Sequence, residues 1–238
     1  MARRVLVTRP EPEASRTAER LAALGFEPLV LPLTRTAALP EQSLPDGHVE
    51  AVAVTSFNAL RYASDNVLAA LVGKPCFAVG DKTAGQARTA GFGSVVSANG
   101  DADALAQVVI SRTAPEARIV YLCGVVRRPE FENAVAKAGR TVVPAETYDT
   151  LRVQYSDAEL KDVLGSRSVD AVLVYSAESG NVLTALIERP ITADLLSKAL
   201  FCCLSARVAT ALNVESARIR IAERPEQEAL FGVLKAGG

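Results

Sequence analysis

The sequence predicts an α/β protein built from two parallel-sheet domains. Three observations carry this. Short apolar runs alternate with amphipathic segments along the chain, the signature of parallel α/β architecture. One such pattern occurs twice. The apolar runs number about ten, too many for one open five-stranded sheet and apt for two. Among the repeated segments, Glu50-Ala51-Val52-Ala53-Val54-Thr55-Ser56 recurs as Asp170-Ala171-Val172-Leu173-Val174-Tyr175-Ser176, an offset of 120 (170 − 50). Val5-Leu6-Val7 recurs as Ile119-Val120-Tyr121 at an offset of 114 (119 − 5), in step through Gly25/Gly139 to Thr36/Thr150. Phe77-Ala78-Val79-Gly80 recurs as Cys202-Cys203-Leu204-Ser205 at 125 (202 − 77), and that offset also pairs Asp103-Ala104-Leu105 with Glu228-Ala229-Leu230.

The elements follow in order. Val5-Leu6-Val7 is a buried strand. Glu13 to Leu24 is a helix with Ala18, Leu21, Ala22 and Leu24 on one face, closed by Gly25 at C′. Pro28 to Leu33 is a strand whose prolines suit a sheet edge. Thr34 to Gly47 is polar and Pro-bearing and reads as a linker, and Pro45-Asp46-Gly47-His48 at its end reads as a turn. Ala51 to Val54 is a strand and Asn58 to Leu71 a helix. Cys76 to Val79 is a strand, and Lys82 to Ala90 a helix stopped by Gly91. Ser94 to Val96 is a short strand and Ala102 to Ile110 a helix. Arg118 to Leu122 opens the second copy of the first unit, with Glu130 to Ala138 as its helix, Gly139 as its stop and Thr141 to Tyr148 as its second strand. Leu151 to Tyr155 is a connecting strand, and Ser156 to Gly165 a helix with Asp157 near its start. Ala171 to Val174, Leu200 to Leu204 and Ile219 to Ile221 are strands. Helices run from about Gly180 to Ile187, Ala206 to Leu212 and Pro225 to Lys235.

Composition narrows the function classes. The 238 residues suffice for two ordinary domains, and 49% hydrophobic residues suffice for two cores. A net charge of −1 sets up no field that would recruit nucleic acid or an acidic membrane. Of 26 Lys+Arg only six are Lys, a skew that suits bidentate carboxylate binding or follows simply from base composition. The four cysteines (Cys76, Cys123, Cys202, Cys203) lie in or end apolar runs and form no C-x-x-C pair, so they read as buried free thiols in a reducing cytosol. No leader is visible, because the first apolar run stops at Val7 before Arg9-Pro10, and no run approaches the length of a bilayer span. A cytoplasmic protein is the expectation.

In open parallel sheets, ligands bind beyond the carboxyl ends of the strands. Those ends carry Thr8 and Arg9; Thr55, Ser56 and Asn58; Gly80, Asp81, Lys82 and Thr83; Gly124, Arg127 and Arg128; Tyr175, Ser176, Ser179 and Gly180; and Ser205 and Arg207. Free N–H groups at helix starts bind anions, and the helix dipole assists. Ser and Thr are also the ordinary N-caps, so each one alone has a structural explanation. Six such ends together suit a ligand bearing several carboxylates or phosphates. There is no phosphate loop of the G-x-x-x-x-G-K-S/T type, no strand-linked G-x-G-x-x-G, no metal-ligand spacing and no G-x-S-x-G elbow. Chemistry would therefore fall to hydroxyls, amides and charges.

Seven segments in order then resemble the uroporphyrinogen-III synthase family. They are Val7-Thr8-Arg9-Pro10, Thr55-Ser56-Phe57-Asn58-Ala59, Val79-Gly80-Asp81-Lys82-Thr83-Ala84, Cys123-Gly124 with Arg127-Arg128, Thr147-Tyr148-Asp149-Thr150, Tyr175-Ser176-Ala177-Glu178-Ser179-Gly180, and Leu204-Ser205-Ala206-Arg207-Val208-Ala209. The resemblance implies two flavodoxin-like domains joined by a two-stranded connection, domain one being 1–36 with 152–238 and domain two an insertion of 37–151. It implies a cofactor-free hydro-lyase of heme and porphyrin biosynthesis. Such an enzyme cyclises hydroxymethylbilane with loss of water and inversion of ring D through a spiro intermediate. A monomer is the default expectation, with no metal, nucleic acid or membrane as partner, and transient contact with the preceding pathway enzyme is compatible with the resemblance.

Tyr148 matches the family tyrosine proposed to protonate the leaving hydroxyl; an ordinary strand-end tyrosine is the other reading. Thr83 matches a family threonine of the cleft. Substrate binding is expected of Arg9, Thr55, Ser56, Asn58, Lys82, Thr83, Arg128, Ser176, Ser179, Gly180, Ser205 and Arg207, in a cleft between the domains. The segment at Ser205 departs from the eukaryotic Gly-Pro-Thr-Thr pattern, so Val208 offers no hydroxyl. The alternative function is a non-catalytic two-domain module that binds a small polyanion.

Overall fold

The computed structural model describes residues 2–44 and 46–237. In chain order the elements are β1 (Arg4–Val7), α1 (Glu13–Ala23), β2 (Glu27–Val30), β3 (Thr34–Ala38), β4 (Ala51–Val54), α2 (Phe57–Arg61), α3 (Asp65–Leu71), β5 (Cys76–Ala78), α4 (Asp81–Thr89), β6 (Val95–Ser97) and α5 (Ala102–Arg112). They continue with β7 (Arg118–Gly124), α6 (Glu130–Lys137), β8 (Thr141–Arg152), α7 (Asp157–Leu164), β9 (Ala171–Val174), α8 (Ala177–Ile187), α9 (Pro190–Leu196), β10 (Leu200–Cys203), α10 (Ala206–Ala209), β11 (Ile219–Ile221) and α11 (Gln227–Ala236).

The chain divides into two compact units. Unit 1 comprises the residues up to Arg35 and those from Leu151 onward; unit 2 is the continuous stretch Thr36–Thr150. The chain leaves unit 1 within β3 and returns within β8, and these two strands are neighbours in one sheet. The sheet of unit 1 runs β11-β10-β9-β1-β2, and each pair is parallel. The other runs β3-β8-β7-β4-β5-β6, with every pair from β8 to β6 parallel. Matching the repeats (β7 to β1, β8 to β2, β4 to β9, β5 to β10, β6 to β11) gives the same strand order in both sheets. Unit 2 is thus a circular permutation of unit 1 with β3 added at its edge.

The strands form where the sequence is continuously apolar, because both faces of each sheet are covered by helices. β1, β4 and β9 are buried at every position. Side-chain alternation then splits each core in two. In β10, Cys203 packs with Leu6, Val174 and Phe201, while Cys202 packs with Val5, Val7 and Leu173 on the opposite face. All four thiols are buried and free. β2 is an edge strand, as its proline suits. Gly25, Gly91 and Gly139 close their helices with φ of +85°, +99° and +80°, which a Cβ would disfavour.

Several elements differ from expectation for identifiable reasons. The buried face of α1 is Ala14, Thr17 and Leu21, whereas Ala22 is exposed and Leu24 is 44% exposed. The expected stripe was set by residue type, and the strip of helix that meets the sheet is set by where the chain leaves β1. The segment 34–47 is not simply a linker, since its first residues form β3. Within it Gln42 donates to the carbonyls of Tyr62 and Thr147 and accepts from the Ser64 N–H at 2.7 Å. That anchor breaks the single helix expected over 58–71 into α2 and α3, with Ser64 as the N-cap of α3. α9 was not foreseen; Pro190 occupies its first turn and satisfies the helix-start rule. The connecting strand at 151–155 is the tail of β8, ending at Arg152. Of the turn at 45–48, Pro45 lies outside the described residues; Gly47 has φ +98°. No helix among the described residues is long and apolar enough to cross a membrane.

Candidate functional site

Strand order locates the sites. In unit 2 the chain moves outward from β4 to β5 and β6, and outward the other way from β7 to β8. The crevice beyond the carboxyl ends of β4 and β7 is therefore the topological switch point, where such sheets bind ligands. A cleft of about 160 Å³ lies there, lined by Thr55, Ser56, Tyr121, Gly124, Val126, Arg127, Arg128, Phe131 and Tyr148, with Cys123 and Ala102.

Tyr148 is delivered to this cleft by a β-bulge. Cys123 pairs with Glu146, but Gly124 pairs with Tyr148, so Thr147 is the extra residue. Thr147 is fully buried and its hydroxyl donates to the carbonyl of Ala59 at 2.8 Å. Bulges re-aim side chains beside sites in this way. The phenol ring lies directly over Gly124: a Cβ there would fall 2.7 Å from the ring Cζ. Its hydroxyl donates to Ser56 Oγ at 3.1 Å, which also accepts from the Asn58 N–H at 3.2 Å. Tyr62 flanks the ring at 6.2 Å between centroids. Ser56 is thus both the N-cap of α2 and the anchor of Tyr148, while Asn58 contributes its backbone.

The neighbouring hydroxyl pairs likewise. Thr55 Oγ1 lies 2.6 Å from Tyr121 Oη, and the Tyr121 ring packs on Phe131 at 4.9 Å. Burial raises the Tyr121 pKa, opposed by the bond to Thr55. Arg127 is held by Glu132 at 2.9 Å and Glu146 at 2.6 Å, which ties the loop after β7 to α6 and β8. Arg128 has no ion pair among the described residues and lines the cleft. Burial drives the Cys123 thiol up to about 12, so it is no nucleophile.

Lys82 is exposed in the first turn of α4, with Nζ 5.3 Å from the Phe57 ring. Thr83 is buried in that turn. Lys82, Thr83 and Asn58 do not line this cleft.

In unit 1 the matching switch point lies between β1 and β9. Thr8 is buried and donates to the carbonyl of Leu173 at 2.7 Å, joining the two strand ends. Arg9 stacks on Tyr175, 4.4 Å from the ring centroid, and donates to Gln227 Oε1 at 2.9 Å. Burial raises the Tyr175 pKa. Ser176 caps α8, accepting from the Ser179 N–H at 3.1 Å and bonding the Ser179 hydroxyl at 2.9 Å. Gly180 is buried, donates its N–H to the Ser176 carbonyl and would meet Ala211 Cβ at 3.0 Å if it carried a Cβ. Its role in the structure is helix packing. Ser205 stands at the start of α10 with a free side chain, and Arg207 is exposed beside it. β10, β9 and β1 are adjacent, so the Ser205, Ser176 and Arg9 ends share one edge of that sheet.

Sequence reasoning expected one cleft between the domains; of its residues, Thr55, Ser56, Arg128 and Tyr148 line the cleft of unit 2. It passed over Tyr121, whose only signal was a phenol near the end of a buried strand, and left Gly124 out of the site although the glycine was visible at a strand end.

The two sheets with polar, hydroxyl-rich carboxyl ends define a two-domain α/β protein in which one flavodoxin-like unit is inserted in another. The sequence profile of uroporphyrinogen-III synthase HemD matches residues 15–232, and the chain belongs to that family, whose enzymes serve porphyrin and heme biosynthesis. No curated protein matches the sequence. Solved structures do resemble it. The uroporphyrinogen-III synthetase of Helicobacter pylori aligns with a TM-score of 0.71 at 15% identity over 99% of each chain. A mutant uroporphyrinogen III synthase of the extremely thermophilic bacterium Thermus thermophilus aligns with a TM-score of 0.53 at 18% identity, over 99% of this chain and 98% of that one. At such identities these likenesses establish the fold.

Proposed function

We propose that the chain cyclises hydroxymethylbilane to uroporphyrinogen III, with loss of water and inversion of ring D, and that Tyr148 protonates the departing hydroxyl. The observation that carries this reading is the Tyr148 phenol itself. A bulge and a glycine hold it in a cleft at the unit 2 switch point, and its hydroxyl is fixed by Ser56.

Proton bookkeeping supports the role. Ser56 Oγ accepts from both Tyr148 and the Asn58 N–H, so the Ser56 proton is the spare one of the pair. When Tyr148 gives its proton to the leaving oxygen, the Ser56 O–H is in place to turn and donate to the phenolate. The phenolate regains a proton when the pyrrole carbon that forms the closing C–C bond gives up its hydrogen, so that one water is the net loss. The substrate brings eight carboxylates. Lys82, Arg128 and Arg207 are exposed and have no ion pair among the described residues, whereas Arg127 is committed to Glu132 and Glu146. Substrate binding is assigned to these cations, to Arg9, Thr55, Ser56 and Asn58, and to Ser176, Ser179 and Ser205, with Thr83 and Gly180 shaping the helix starts beneath.

The linear substrate closes spontaneously without inverting ring D. The protein must therefore hold it in one folded geometry more than it must supply a strong acid. Positioning contributes several kcal/mol. The test is an assay with freshly made hydroxymethylbilane that resolves the type III from the type I product. Type III above the spontaneous background supports the reading. Binding without type III product would leave a polyanion-binding module instead.

A further inference from the structure

The cleft of unit 2 holds a second phenol–hydroxyl pair that the proposed proton transfer does not use. Tyr121 Oη and Thr55 Oγ1 lie 2.6 Å apart, and either one can donate to the other. Each group carries one proton, and their shared bond consumes one of the two. Neither oxygen has another hydrogen-bond partner among the described residues. One O–H therefore remains without an acceptor, and both residues face the cleft. The ring of Tyr121 is 2% exposed and packed on Phe131, which fixes the pair in the cleft wall, and half-buried Thr55 turns the spare O–H toward the cleft. Arg128, the cation without a carboxylate partner, lines the same cleft. A spare neutral donor beside a free guanidinium is the chemistry that receives a carboxylate.

We propose that the Tyr121–Thr55 pair and Arg128 form a carboxylate subsite, with the pair donating its spare proton to one acidic side chain of the tetrapyrrole. The inference rests on the reading of the chain as acting on a polycarboxylate tetrapyrrole. Tyr121 and Thr55 are then exchangeable donors. Removing either hydroxyl leaves the other with its own proton still free for the ligand, and only removing both abolishes the donor.

This sets binding and stability in opposite directions. The test is a double-mutant cycle of Tyr121→Phe, Thr55→Val and both together. It is read by uroporphyrin III binding, by KM for hydroxymethylbilane, and by unfolding. Uroporphyrin III is the oxidised, octacarboxylate counterpart of the proposed product. Each single substitution should weaken uroporphyrin binding by no more than about twofold. The double should weaken it roughly tenfold, the scale of a bond to a charged acceptor. KM should follow, with kcat nearly unchanged. Unfolding should show the reverse coupling, the double costing little more than the worse single, because one substitution already breaks the shared bond.

If the double binds uroporphyrin as well as the worse single does, the pair is structural and the inference falls. The outcomes separate cleanly. A wild-type chain that makes no type III product sinks the functional reading, while the uroporphyrin cycle still decides this one. A flat binding cycle in an active enzyme sinks this inference alone.

Discussion

Gly124→Ala is the sharpest perturbation that the geometry offers. Gly124 does not need positive φ, so no backbone strain explains a glycine there. The reason is the Tyr148 ring: a Cβ at 124 would stand 2.7, 2.9 and 3.1 Å from its Cζ, Cε2 and Cε1. Relaxed carbon–carbon contact is about 3.5 Å, so the ring must retreat by roughly 0.8 Å. The retreat pulls the phenol against its bond to Ser56, now 3.1 Å. Overpacking of this kind costs about 1–3 kcal/mol of stability. A displacement near 1 Å at a reacting group lowers turnover by on the order of 100-fold. The assay is type III formation beside thermal unfolding, with Gly180→Ala as the comparator. A Cβ at 180 meets Ala211 Cβ at 3.0 Å, so that variant should lose stability with far less loss of turnover. Tyr148→Phe combined with Gly124→Ala should be no slower than the slower single. An active, fully stable Gly124→Ala enzyme would refute the view that this glycine exists to seat Tyr148.

Tyr148→Phe alone should lower turnover by about 10²-fold while shifting unfolding by less than about 1 kcal/mol, since only a half-buried hydroxyl is lost; full type III activity would remove the phenol as donor. Arg127→Gln gives up the pairs with Glu132 and Glu146. It should cost about 1 kcal/mol, because such partly exposed pairs are weak, and should raise hydrogen exchange over 125–128; unchanged exchange would show that the loop is held otherwise. Cys76, Cys123 and Cys203 are pushed by burial up to about 12, and Cys202 to about 11. The folded protein should therefore not react with thiol reagents at pH 8, and the denatured protein should. In the unfolded chain thiols ionise near 8.5. Above that pH the unfolded state binds fewer protons than the native one, so stability is intact below about 8.5 and falls as pH climbs toward 12. A flat unfolding midpoint from pH 8 to 10.5 would contradict the burial of these groups.

The fold class was legible because both sheet faces are covered. Continuous apolar runs such as 51–54 and 171–174 have no competing explanation, and glycines 25, 91 and 139 punctuate the helices by local stereochemistry alone. What failed needed tertiary information. The orientation of α1 depends on the exit of β1, and the break at 62–64 depends on Gln42, 22 residues away (64 − 42). The hydroxyls at strand ends were visible as residue types. Their pairing as Tyr148 with Ser56 and Tyr121 with Thr55 was not, because it is created by the bulge at Thr147 and by the adjacency of β4 and β7, which are 68 residues apart in register (119 − 51).

The permutation of one unit within the other also dictates an order of assembly. β1 sits second from the edge of its sheet, and its inner neighbour β9 pairs Ala171 with Val5, 166 residues later (171 − 5). Until the ribosome has delivered β9, the first α/β segment has a sheet neighbour on one side only and an apolar strand awaiting cover. The inserted unit needs nothing beyond its own contiguous chain and can close first. Nascent-chain truncation should find the middle of the sequence protected from protease while both ends are still cut, with the N-terminal segment becoming resistant only after the last strands emerge.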